Sequence, residues 1–85
     1  MIPKATKAEP SKSQEQQRIW DKQARTLARY PASVAYAAQY YAMFQASKDP
    51  LDLEIANDWV DAANRAAKAA SEFGVTLATV PEYSE

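Results

Sequence analysis

The chain reads as all-α, and three observations carry that reading. Alanine is abundant while glycine occurs once, at Gly74; alanine is the best helix former, and glycine is absent except where a helix should stop. From Leu53 to Ala70, apolar residues recur at alternating spacings of three and four, the repeat of one helical face. Prolines sit at positions that start or interrupt helices. The expected fold is a small three-helix bundle or a helical hairpin. Its helices should span about 14–30, 32–47 and 50–73, with an extended N-terminal arm and a C-terminal tail.

Residues 1–12 form a basic arm, flexible or ordered by a partner. The arm has Pro3, Pro10 and three lysines, with almost no apolar residue beyond Ile2, and cannot bury enough surface to offset its chain entropy. The helical domain should cover 13–74. Its first helix begins near Ser13, which with Gln16 fits a capping box. Trp20, Ala24 and Leu27, widened by Ile19, make its apolar line.

Pro31 should break or sharply kink this helix, because it removes a backbone donor and pushes Tyr30 away from helical geometry. A second helix then starts at Pro31 or Ala32 and runs to Ser47. It is apolar nearly all round. Val34, Ala38, Tyr41 and Gln45 mark one line; Tyr36, Tyr40, Met43 and Phe44 mark another. A helix without a polar face is central or lies in an interface.

Lys48-Asp49-Pro50 is a turn, with Asp49 a good N-cap and Pro50 a good first residue. The third helix runs from Pro50 to about Phe73, closed by Gly74 in the left-handed conformation. Two apolar lines run along it, and Asn57, Asp61, Asn64, Lys68 and Ser71 form the opposite face. Its C-terminal half is almost pure alanine, which lets another helix come close. The second helix should lie antiparallel along it. Residues 75–85 are an extended acidic tail; Val75–Val80 packs as extended chain or adds to a sheet edge on a partner.

Charge is segregated. Residues 1–48 carry eight bases against three acids, and residues 49–85 carry two bases against eight acids. The total of −1 conceals a +5 half and a −6 half, a pattern expected when something of opposite sign meets each end. Arg18, Lys22, Arg25 and Arg29 share one face of the first helix. They could track phosphates, remain solvated, or pair with the acidic face formed by Glu54, Asp58 and Asp61.

Enzymatic chemistry has little to stand on. There is no His for general base work and no Cys nucleophile, nor a glycine-rich phosphate loop. The carboxylate spacing of Glu54, Asp58 and Asp61 can suit a divalent metal in a bundle, but such sites also draw ligands from several helices. No cofactor or metal is expected. The arm lacks the apolar run of a signal peptide, and the longest uncharged stretch, Tyr30–Ser47, is too short to span a bilayer. The expected location is cytoplasmic or within a virus particle.

A core this small is marginal, and without disulfides its natural supplement is a partner. The aromatic residues Tyr36, Tyr40, Tyr41, Met43 and Phe44 exceed what so thin a fold can hide, and Trp20 and Trp59 could anchor the same contact. The expected function is therefore non-enzymatic protein–protein interaction or assembly. The partner would be a larger protein or a homo-oligomer, as for a small subunit docking on a virus particle. The alternatives are a small phage or mobile-element inhibitor that occludes a host protein, and nucleic-acid binding through the basic face of the first helix.

Overall fold

A computed structural model describes residues 12–85. It holds two helices, α1 (Lys12–Ser47) and α2 (Pro50–Ser71), packed as an antiparallel hairpin. At 1.5 Å per residue they are about 54 Å and 33 Å long. The end of α2 lies beside Ile19–Thr26, so the first turns of α1 run on past it.

The turn is built by the residues that the sequence suggested. Asp49 adopts extended geometry, and its Oδ1 accepts a 3.0 Å hydrogen bond from the Leu51 N–H. Pro50 follows in the first helical position, where no donor is needed. Ser47 reinforces the corner: its Oγ donates to Asp52 Oδ2 at 2.7 Å and accepts from the Asp49 N–H at 3.1 Å. Lys48 sits at φ 62°, a left-handed conformation costly for a residue with a Cβ. The Lys48 N–H donates to the Phe44 carbonyl at 2.7 Å.

At its far end, α2 tightens over Glu72 and Phe73 and closes at Gly74 (φ 90°). The Gly74 N–H reaches the Ser71 carbonyl at 3.2 Å and the Val75 N–H reaches that of Ala70 at 3.1 Å, the paired bonds of a Schellman motif. A Cβ at residue 74 would meet nothing within 4 Å, so backbone conformation alone calls for glycine there.

The core is thin and made mostly of small side chains. Ala37 and Phe44 of α1 meet Ala56, Val60, Ala63, Ala66, Ala67 and Ala70 of α2, with Ser33 buried in the seam. Small residues at the seam let the helices approach closely. Each buries little area, so this contact stabilises less per residue than a Leu-rich one.

Of the two expected folds it is the helical hairpin that forms, with two helices rather than three among the described residues. The spans 14–30 and 32–47 are one helix that passes through Pro31. Proline removes the N–H that would reach the Leu27 carbonyl, at a local cost of about 3 kcal/mol. Packing on both sides outweighs it. Leu27 and Tyr30 before the proline are half-buried with Val34 after it, and Ala37 is buried. The Pro31 ring itself is exposed. Helix α1 starts one residue before the expected cap Ser13, and α2 ends two residues before Phe73. The basic arm falls almost wholly outside the described residues.

The tail is a third layer. Val75–Glu85 turns back from Gly74 and runs as extended chain along the hairpin, with Val75, Leu77, Val80 and Tyr83 half-buried. Two asparagines of α2 hold its main chain. Asn64 accepts from the Val80 N–H at 2.8 Å and donates to the Val80 carbonyl at 3.0 Å. Asn57 does the same for Tyr83, at 2.8 and 3.0 Å. The spacings match: seven helical residues rise about 10.5 Å, and three extended residues span about 10 Å. Pro81, between the two clamped residues, favours extended geometry at Val80. From α1, the Tyr30 hydroxyl donates to the Ala78 carbonyl at 2.6 Å, and the Tyr41 ring stacks on Tyr83 with centroids 4.3 Å apart.

A candidate protein-docking face

The hairpin has two broad faces, and the tail covers one. The other is open. On α1 it carries Tyr36, 47 % exposed, and Met43, 44 % exposed; on α2 it carries Leu51, 55 % exposed. Tyr36 stacks on Trp59 across the helix pair, centroids 4.8 Å apart and planes 27° apart. The stack fixes two large side chains in the middle of the face without removing them from solvent: Trp59 is only half-buried.

Beside this stack lies a cleft of about 520 Å³, lined by Thr26, Arg29 and Ser33 of α1 and by Trp59, Ala62, Arg65, Ala66 and Ala69 of α2. Its floor is alanine and its rim carries two guanidinium groups. Arg suits carboxylates because its planar fork can donate two parallel hydrogen bonds. Along α2, positions 51, 55, 58, 62, 65 and 69 follow alternating steps of four and three and so form one line. These are Leu51, Ile55, Asp58, Ala62, Arg65 and Ala69, and none is buried.

The expected interface residues divide among three environments. Tyr36, Met43 and Trp59 lie on the open face, and half-buried Tyr40 flanks it one turn from Tyr36. Phe44 is 8 % exposed and belongs to the core, while Tyr41 is half-buried against the tail; these two do not present a surface to a partner. Trp20, 55 % exposed, and Ile19, 50 % exposed, lie on the basic end of α1.

Arg18, Lys22, Arg25 and Arg29 are all exposed. The alternative in which they pair with Glu54, Asp58 and Asp61 of the same chain is not realised. Antiparallel packing places Arg29 beside Ala66 and Ala69, and the other three bases lie further still from those acids. The molecule therefore has a basic end, to which Arg65 and Lys68 add, and an acidic end at the turn, where Asp49, Asp52, Glu54 and Asp58 gather. Glu54, Asp58 and Asp61 are exposed. Among the described residues, no three acidic side chains converge on a point that could hold a metal ion, and no helix is long and apolar enough to cross a membrane.

Four residues of these two faces carry no plain sign of their role in the sequence. Arg65 reads from sequence as an i+4 partner of Asp61, and Leu51 as an ordinary helix residue, so neither signals a docking face. Asn57 and Asn64 were placed on the polar face opposite the apolar lines, and their seven-residue spacing was the available sign that they act together. Comparison with known protein families, curated proteins and solved structures finds no match for this chain.

Proposed function

We propose that this protein is a non-enzymatic docking module whose open face binds another protein surface. The observation that supports this is the asymmetry of cover. The tail shields one side of the hairpin, while Tyr36, Met43 and Leu51 stay about half exposed on the other beside an alanine-floored cleft with an arginine rim. Aromatic, Met and Arg side chains are the types enriched where proteins meet. Apolar surface left together in one place marks an interaction site more often than the same residues scattered singly.

Site-specific photo-crosslinking tests the reading. A photo-reactive side chain in place of Met43 on the open face should give protein adducts in cells producing the chain. The same group in place of Glu82, in the tail, should give few. Equal yields from the two positions, or none from Met43, would sink it.

A further inference from the structure

We propose that the molecule covering the open face is a second copy of this chain, held in an antiparallel twofold contact between α2 helices that crosses at Ala62. The proposal rests on the docking reading above and names its partner.

The order of residues along the Leu51–Ala69 line of α2 favours this partner. Lay two such lines antiparallel, with Ala62 opposite Ala62. Leu51 of one copy then reaches the end of α2 of the other, Ile55 meets Ala69, and Asp58 meets Arg65. Each pairing occurs twice, as a closed twofold interface requires. Apolar residues meet at the ends, the smallest residue sits at the crossing where backbones must approach, and opposite charges meet between. A parallel arrangement would set Asp58 against Asp58 and Arg65 against Arg65, so charge selects the antiparallel one.

The rest of the molecule agrees. The same rotation brings the acidic turn end of one copy against the basic end of the other. Asp58 then approaches the cleft whose rim is Arg29 and Arg65, supplying a carboxylate to two guanidinium groups. The α2 strip is about 33 Å long and one helix width across, roughly 330 Å² per copy in projection, and the open side of α1 lies beside it to bring the contact toward the ~800 Å² per partner of an ordinary stable interface.

Light scattering behind a sizing column should give the full-length protein a mass twice its 9.4 kDa. A monomer persisting to ~1 mM, where even a contact of about −4 kcal/mol would populate dimers, overturns the proposal. The charge register is tested by exchange. Asp58→Arg and Arg65→Asp should each weaken dimerisation by about tenfold or more, and the double variant should recover to within about threefold of the starting affinity. Circular dichroism of each variant checks that the hairpin is intact. A dimer indifferent to the single changes, or not rescued by the double, overturns the register. If the chain is monomeric but Met43 crosslinks to a different protein, the docking reading stands and the second copy falls. If it is monomeric and no adduct forms, both fall.

Discussion

The two faces of the hairpin solve the same problem by different chemistry. Each is a shallow groove between α1 and α2 that an added segment can cover. On the tail face, α2 presents Asn57 and Asn64, whose amides pair with the main chain of Val80 and Tyr83. On the open face the line along α2 has no asparagine and offers Leu51, Ile55, Ala62 and Ala69 instead. A side-chain amide can satisfy an N–H and a C=O together, so it suits an extended strand. Alanine offers no such bonds but admits a helix at short range. Cover on the first face is therefore chain, and the occupant proposed for the second is a helix.

The contrast can be broken or sharpened by substitution. The largest effect should come from the layer shared by both faces. Phe44→Ala removes a core aromatic side chain and should cost about 3–5 kcal/mol, read by urea denaturation, with both faces lost together. Next is the tail clamp. Changing Asn57 and Asn64 together to Ala deletes four hydrogen bonds and should cost about 2–4 kcal/mol. Amide exchange at Val80 and Tyr83 should accelerate sharply while α2 amides near Val60 stay protected. If those tail amides kept their protection, apolar contact and the Tyr41–Tyr83 stack would be holding the tail without the asparagines.

Smaller changes separate the faces further. Lys48→Gly relieves the left-handed conformation at the turn and should raise stability by up to about 1 kcal/mol, visible as a higher thermal midpoint. The smallest effect should be at the open face. Leu51→Ser, measured at concentrations where the chain is monomeric, should change stability by no more than about 0.5 kcal/mol while weakening association. A large loss of monomer stability would show that Leu51 is part of the fold rather than of a docking surface.

Much of the architecture was legible in local sequence. Asp49-Pro50 announced the start of α2 because a capping carboxylate followed by a residue without an N–H suits only a helix start. Gly74 announced its end because few other residues accept φ near 90°. The alanine lines announced a close helix partner. Pro31 misled because its penalty is local while its compensation is not. Thr26 and Arg29 before it and Ser33 after it line one cleft with α2, and a break would have separated them. Phe44 and Tyr36 could not be told apart either. Both belong to one aromatic line of α1, yet Phe44 points into the seam and Tyr36 stacks outside it on Trp59.

Helix content, the turn, the cap and stop of α2, and the separation of charge between the two halves follow from local sequence. These depend on neighbours within a turn or two, where backbone sterics, capping bonds and periodicity act directly. The continuity of α1, the return of the tail onto Asn57 and Asn64, and the face left uncovered among the described residues are tertiary outcomes. Those outcomes join residues as far apart as Tyr30 and Ala78, and which of two similar grooves a tail fills depends on matching an amide spacing on one segment to a main-chain spacing on another.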